Sequence, residues 1–171
     1  MVFRPGVAAA TSLMLAFVGF DATGVSASKS AAPSGCALLP IALLEKTIGE
    51  KFEDPPLEAP APPAYDGPAG TSCQFFSKPT FALGHETRVD FLVYQESSAK
   101  IAKDTFDKVA VYIADKSKGS PSVGDAAYWG VKDDEESWLY VLKGNTHFTL
   151  GMEPNNDAQL LGLATTLAKE F

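Results

Sequence analysis

CALLPIALL (36–44) and TSCQFF (71–76) are the two stretches that decide the fold, because they carry Cys36 and Cys73, the only cysteines of the chain. The first stretch is typical of a helix and the second of a strand. A disulfide between them would tie the first predicted helix to the first predicted strand across a proline-rich segment. In the chain-entropy account, closing a loop of roughly 38 residues stabilises a fold by about 4 kcal/mol, a large share of a small domain's net stability.

The first 27 residues have the pattern of a secretory signal peptide. Arg4 precedes an apolar run at 7–20, which is shorter than the roughly 20 residues that a membrane-spanning helix needs. Small residues before position 28 predict cleavage after Ala27, followed by a flexible leader at 28–35. An uncleaved N-terminal anchor or a buried helix is the alternative. We therefore expect a secreted or periplasmic bacterial protein without stable membrane insertion, in a compartment where disulfides persist.

A lipid anchor on Cys36 is a competing interpretation of the same region. Lipoprotein signals place a branched aliphatic residue three positions before the cysteine and keep the cysteine close behind the apolar run. Here that position holds Pro33, and Cys36 lies well past Phe20, where the run ends. Lipidation would also leave Cys73 without a partner, so the sequence favours the disulfide.

The length of the chain indicates a single domain, and its charge argues against nucleic-acid binding. The region 36–171 has the length of a single domain with its own core. The chain carries a formal net charge of −7 with no cluster of Lys or Arg. An acidic surface is poorly suited to phosphate backbones or anionic membranes, so we do not expect nucleic-acid binding.

Periodicity along the chain predicts an α+β fold. Helices are predicted at 36–48, at 99–116 and from 157 onwards, and strands at 71–77, 86–95, 126–132, 137–143 and 146–152. The proline-rich segment 54–70 is predicted to be an extended loop, pinned to the body by Leu57 and Tyr65. The order α-β-β-α-β-β-β-α predicts an antiparallel sheet of about five strands with the helices mainly on one face.

The turn Gly144-Asn145 fixes the register of the last hairpin. If Lys143 pairs with Thr146, the residues of the core face are Leu139, Val141, Phe148 and Leu150, and those of the opposite face are Trp138, Tyr140, Leu142, His147 and Thr149. Aromatic side chains around an imidazole form a possible ligand patch, so Trp138, Tyr140 and His147 are the candidate ligand-binding residues. Alternatively, the proline-rich loop covers this face, and His147 is simply hydrogen-bonded beneath it.

No catalytic or metal chemistry is indicated. His85 and His147 are distant from one another and the cysteines are paired, so a zinc or copper site lacks ligands. The acidic run 133–136 lacks the spacing of a calcium loop and is predicted to be a hairpin turn. There is no Gly-x-Ser-x-Gly elbow, phosphate-binding glycine loop or free cysteine. We therefore expect no cofactor and assign no catalytic residue, although two carboxylates brought together by the fold would escape this search.

Four short motifs, taken in order, resemble those of a known type of domain. They are Cys36-Ala37-Leu38-Leu39, the distant Cys73-Gln74-Phe75, Val123-Gly124-Asp125-Ala126-Ala127-Tyr128 and the closing Leu161-Gly162-Leu163-Ala164. The chain resembles the small exported domains of unknown function found among actinobacterial lipoproteins, in which Cys-x-Leu-Leu opens a helix, a second cysteine begins a strand and Gly-Asp-x-Ala-Tyr precedes a late hairpin. The resemblance covers most of 35–171 and implies an envelope or secreted α+β domain. It brings no catalytic residues, and a convincing lipidation site is missing here.

These observations predict a non-catalytic exported module, stabilised by a disulfide, that binds an envelope protein or a small apolar ligand. An envelope hydrolase and a secreted enzyme inhibitor are the alternatives. Gly124-Asp125 is interpreted as a turn that enters a strand, with the aspartate bonded to the local backbone.

Overall fold

A computed structural model describes residues 34–61, 69–78, 86–113, 117–132 and 136–171. The predicted signal peptide, most of the leader, and the residues Tyr65 and His85 lie outside these ranges. The described helices are α1 (Gly35–Leu38), α2 (Ile41–Ile48), α3 (Ala99–Ile113) and α4 (Asp157–Leu167). The described strands are β1 (Leu57–Ala61), β2 (Gly70–Phe76), β3 (Arg88–Gln95), β4 (Ser117–Gly119), β5 (Ala126–Lys132), β6 (Glu136–Lys143) and β7 (Thr146–Glu153). None of these helices is long and apolar enough to cross a membrane.

The strands form one antiparallel sheet in the order β1-β2-β3-β7-β6-β5-β4. The last strand, β7, lies between β3 and β6 and joins the two groups of hairpins. The α+β class and the antiparallel sheet are confirmed. The expected number of about five strands is too low: the five predicted strands are present, and the described residues contain two more.

The first additional strand, β1, lies inside the segment predicted to be a proline-rich loop. It pairs with β2 at the edge of the sheet, where Pro60 lies opposite Thr71. An edge strand tolerates proline because one side of its backbone needs no hydrogen-bond donor. Leu57 was expected to pin this segment to the body, but 60% of it is exposed.

The second additional strand, β4, follows α3 and forms the other edge. It is only three residues long and has an irregular register with β5. The sequence Ser117-Lys118-Gly119 predicts the end of a helix. It forms a strand because it pairs with β5. The predicted end of the helix at 114–116 lies outside the described residues.

The predicted first helix is two helices. Pro40 lies between α1 and α2 and caps the start of α2. Its carbonyl accepts hydrogen bonds from the backbone N–H groups of Leu43 and Leu44. Proline fits this position because it has no N–H to place inside a helix. The predicted end at Gly49 is confirmed, since Gly49 has a φ of 83° and closes α2. At the other end, the leader stops before Ser34, which accepts from the N–H of Ala37 and caps α1.

The disulfide joins Cys36 of α1 to Cys73 of β2, with 5.1 Å between their Cα atoms. Cys73 is fully buried, and its side chain shares a face of the sheet with Phe75 and Phe91. The predicted link between the first helix and the sheet is therefore confirmed.

The core lies on one face of the sheet, which we call the core face. The predicted pairing of Lys143 with Thr146 is confirmed. Side chains of α1, α2 and α4 pack on this face, and the fully buried large residues include Leu39, Leu44, Phe75, Phe91, Leu139, Phe148, Leu150, Leu160 and Leu163. In α4, Leu163 faces the core, whereas Leu161 is partly exposed.

Helix α3 lies on the opposite face, which we call the α3 face. Ala102 and Phe106 pack there against Tyr140 and Leu142. The helices are thus mainly, but not all, on one face. The sequence offered the proline-rich loop as a possible cover for this face. In the structure, α3 packs there.

The turn before β5 is tied to the last hairpin. Gly124 has a φ of 63°, as the turn interpretation requires. The carboxylate of Asp125 does not bond the local backbone as expected, but accepts from the N–H of Gly144 at 2.7 Å and from Lys143 Nζ at 2.9 Å. These two hydrogen bonds hold the pKa of Asp125 below its usual value.

Candidate functional site

The α3 face contains all three candidate ligand-binding residues, but it divides into two halves. The helix-covered half is made of Tyr128, Tyr140, Leu142 and His147 under α3. The Trp138 half lies further along the same strands and is made of Arg88, Glu136, Trp138, Gly151 and Glu153. Trp138 and His147 share the face but belong to different halves.

His147 is the centre of the helix-covered half. Its side chain is fully buried, its Nδ1 lies 3.0 Å from the hydroxyl of Tyr140, and its Nε2 lies 3.3 Å from Oε1 of Glu96. A carboxylate can only accept, so the tautomer with the proton on Nε2 satisfies Glu96 and leaves Nδ1 to accept from the Tyr140 O–H. The imidazole therefore has both of its hydrogen bonds within the protein.

Tyrosine rings enclose this imidazole. The ring of Tyr94 stacks on His147 with 4.9 Å between centroids, and the ring of Tyr140 meets it edge-on at 5.7 Å. A Cβ atom at Gly70 would lie 2.6 Å from the Tyr94 ring, so the glycine provides the room that Tyr94 occupies. Burial in this setting raises the pKa of Tyr94.

Burial also sets the protonation of His147. It lowers the pKa of the imidazole below its ordinary value of 6.5, and the hydrogen bond and charge of Glu96 only partly offset that effect. His147 is consequently neutral at neutral pH.

Helix α3 closes this half from above. The ring of Phe106 stacks on Tyr140 with 4.6 Å between centroids and on Tyr128 with 5.2 Å. Ser98 precedes α3 and accepts from the N–H of Ile101, which fixes where the helix begins. His147 is thus hydrogen-bonded beneath a cover, but the element that packs over it is α3, whereas the alternative expected the proline-rich loop there.

The surroundings of Trp138 differ from those of His147, because the residue opposite Trp138 is glycine on both adjacent strands. It lies opposite Gly151 of β7 and Gly130 of β5. A Cβ atom at Gly151 would lie 3.2 Å from three atoms of the indole, so the ring lies flat against that glycine. At Gly130 a Cβ atom would meet nothing within 4 Å, so the space on that side of Trp138 is open. The side chain of Trp138 is partly exposed, and its indole nitrogen has no hydrogen-bond partner among the described residues.

A charged cluster lies beside Trp138. Arg88 forms ion pairs with Asp90 at 2.9 Å, Glu136 at 3.1 Å and Glu153 at 3.2 Å. Glu136 was predicted to belong to a hairpin turn, but it is the first residue of β6, and the rest of that run, 133–135, lies outside the described residues. Gln74 extends the cluster by donating to Asp90 at 2.7 Å.

The charges of this cluster do not cancel. Partial burial disfavours the charge on Arg88, but Asp90, Glu153 and Glu136 outweigh it and raise the pKa of the guanidinium. One cation faces three acidic side chains, so the cluster leaves an excess of negative charge beside the aromatic ring.

Sequence reasoning found the aromatic residues and missed their partners. Glu96 reaches His147 across a separation of 51 positions, and Arg88 reaches Glu136 across 48. No local pattern encodes such pairs, although the period-2 alternation of β3 does place Arg88 and Asp90 on the face away from the core. Within the described ranges, no three His, Cys, Asp or Glu side chains form a group that could hold a metal ion.

No protein-family model matches the chain, and no curated protein matches it significantly. Any functional assignment therefore depends on the residues and geometry above.

Proposed function

We propose that this chain is an exported, non-catalytic binding module of the bacterial envelope that takes an envelope protein or a small apolar ligand at the Trp138 half of the α3 face. One observation carries the proposal. Trp138 lies flat on Gly151 and is partly exposed, and the space over Gly130 beside it is open. A partly exposed aromatic ring next to open space is a surface suited to a flat or apolar group.

The surroundings of Trp138 support a binding role. Its indole nitrogen is buried and has no acceptor among the described residues, so the exposed part of the side chain that a ligand would meet is the apolar ring. Arg88 and its carboxylates supply the polar rim that usually surrounds an aromatic centre in a binding surface.

The other two candidate residues contribute indirectly under this proposal. Tyr140 and His147 are buried beneath α3 and already bonded to one another. Direct contact of these two residues with a ligand stays a prediction. Their position on the strands that carry Trp138 gives them a supporting role, because they fix β6 and β7 in place.

Export is supported by two features. The pattern of the first 27 residues predicts a cleaved signal peptide, and a disulfide joins the only two cysteines of the chain. Disulfides persist in oxidising compartments such as the periplasm and the extracellular medium. N-terminal sequencing of protein recovered from the periplasm and the medium should begin at Ser28, and intact Met1 or a lipid on Cys36 would contradict export by cleavage.

One observation favours a second candidate, an envelope hydrolase. Asp90, Glu136 and Glu153 gather around Arg88, and paired carboxylates are the machinery of glycoside cleavage. All three form ion pairs with one guanidinium, so ion pairing accounts for their position without a substrate. We therefore rank binding first.

The open space over Gly130 gives a direct test of the binding proposal. Gly130→Val places a branched side chain in that space beside Trp138, and valine suits a strand. Immobilised wild-type chain should enrich a component of a bacterial envelope extract that Gly130→Val and Trp138→Ala fail to enrich. Val111→Ala, an exposed change on α3, is the matched control and should enrich it as the wild type does. Equal enrichment by the wild type and Gly130→Val would refute the proposed surface.

A further inference from the structure

Three polar side chains beside Trp138 are exposed and keep hydrogen-bonding groups that no other described residue uses. The side chain of Arg88 is 34% exposed, and its three ion pairs engage three of the five guanidinium N–H groups. The side chain of Glu153 is 41% exposed and meets Arg88 through Oε2, so Oε1 stays available to a donor. Gln74 is exposed and donates through its amide nitrogen to Asp90, so its amide oxygen stays available as well. The rim of this surface therefore offers donors and acceptors side by side.

The sheet places Arg88 and Glu153 beside the indole of Trp138. Glu153 follows Gly151 by two residues on β7, so the two positions share the α3 face and lie roughly 7 Å apart. Arg88 lies opposite Glu153 on β3. Because one face of the indole lies flat on Gly151, the other face turns outwards, with the two charged side chains at its border. A ligand that rests on this outer face reaches both of them.

The charges beside the ring select a neutral ligand with hydroxyl groups. The carboxylates of the cluster repel an anion, and a cation on the ring would lie next to the guanidinium of Arg88. A hydroxyl group both donates and accepts, so neighbouring hydroxyls can bond to Glu153 and Arg88 at the same time. Hydrogen bonds with one charged partner are about twice as strong as those between neutral groups. A ligand that carries hydroxyls along one edge therefore fits the rim.

The ring selects a ligand with an apolar face. The indole nitrogen of Trp138 is buried, so the ligand meets only the carbon surface of the ring. A β-linked pyranose satisfies both demands, because its faces carry C–H groups and its edge carries hydroxyls. The open space over Gly130, on the other side of Trp138, leaves room for the next sugar of a chain.

We infer that the Trp138 half binds a β-linked saccharide: one pyranose ring lies on the indole, and its edge hydroxyls donate to Glu153 and accept from Arg88. This inference rests on the proposed function, because it names the kind of ligand that the same surface takes. Binding then requires both the aromatic ring and the exposed carboxylate.

Calorimetry with two soluble tetramers tests the inference. The probes are cellotetraose and its N-acetylated counterpart chitotetraose, and the wild-type chain should bind at least one of them saturably. Sorbitol carries hydroxyls but no rigid ring, and it should bind about tenfold more weakly. Saturation-transfer NMR gives the orientation, since the C–H protons on the faces of one sugar ring should receive the strongest signal. Choline tests the alternative of a cation on the indole.

Variants locate the sugar on the surface. Glu153→Leu should weaken the bound tetramer about tenfold, whereas Glu153→Gln keeps an acceptor oxygen and should weaken it only about threefold. Trp138→Ala should abolish measurable binding. Asp104→Asn removes an equal charge from an exposed position on α3 and should leave the affinity unchanged. Because Glu153 is exposed, its two variants test the inference even if Trp138→Ala does not fold.

Three outcomes overturn the inference: no saturable binding of either tetramer, equal effects of Glu153→Leu and Asp104→Asn, or tighter binding of choline than of the tetramers. If any of these occurs while Trp138→Ala still loses the envelope component, the saccharide is wrong and the proposed surface stands. If the wild type and Trp138→Ala enrich that component equally, the proposed function itself is wrong.

Discussion

The two halves of the α3 face lie on the same strands, but α3 covers only one of them. In the helix-covered half, His147 has two hydrogen-bond partners and Phe106 stacks on the tyrosines above it. In the Trp138 half, the indole N–H has no described partner and the space over Gly130 is open. Helix α3 therefore buries one half of this face, whereas the ring of Trp138 stays partly exposed, and this exposed half is the binding surface that we propose.

The largest expected effect lies in the helix-covered half. Phe106→Ala removes the ring that stacks on Tyr140 and Tyr128, and should lower the free energy of unfolding by about 3–5 kcal/mol. Val111→Ala, on the exposed side of the same helix, should change it by less than about 0.5 kcal/mol. Urea denaturation of both variants measures the difference. If the two variants lose equal stability, α3 does not anchor this half.

An intermediate effect is expected from the charged cluster. Arg88→Gln leaves the buried carboxylates of Asp90 and Glu136 without their cation, which should cost about 1.5–3 kcal/mol. Lys103→Gln breaks an exposed pair on α3 and should cost about 0.3–0.5 kcal/mol. Equal losses for the two variants, measured in the same urea series, would mean that the cluster is solvated and does not stabilise the Trp138 half.

A smaller effect should appear with pH. The pKa of His147 is lowered in the folded chain, so the unfolded chain takes up a proton first as the pH falls. The stability that depends on neutral His147 is fully present above its ordinary pKa of 6.5 and is lost as the pH falls below it. Between about pH 7.5 and about pH 5.5 the wild-type chain should therefore lose more unfolding free energy than His147→Gln, whose amide does not titrate. Parallel pH profiles would contradict the assignment.

Features encoded by neighbouring residues were predictable from the sequence. The Gly144-Asn145 turn fixes the register of its hairpin locally, and the face of every residue in β6 and β7 follows from it. The disulfide was predictable because the chain has two cysteines and no other way to pair them.

The remaining features depend on pairs that the fold brings together. An amphipathic stripe shows that α3 has a buried side, but not which face of the sheet it covers. Likewise, Pro60 disfavours a strand when the sequence is considered alone. The strand forms because β1 lies at the edge of the sheet, where proline is tolerated, and pairs with β2. The partners of His147 and Arg88 come from strands far apart in sequence, so the division of the α3 face into two halves could not be read from the chain alone.

The most direct test compares one substitution from each half. Tyr140→Phe removes the hydroxyl that bonds His147 and should lower stability by about 1–2 kcal/mol while the chain still enriches the envelope component. Trp138→Ala should abolish that enrichment at a temperature where both variants are folded. Enrichment lost in Tyr140→Phe but retained in Trp138→Ala would contradict the account.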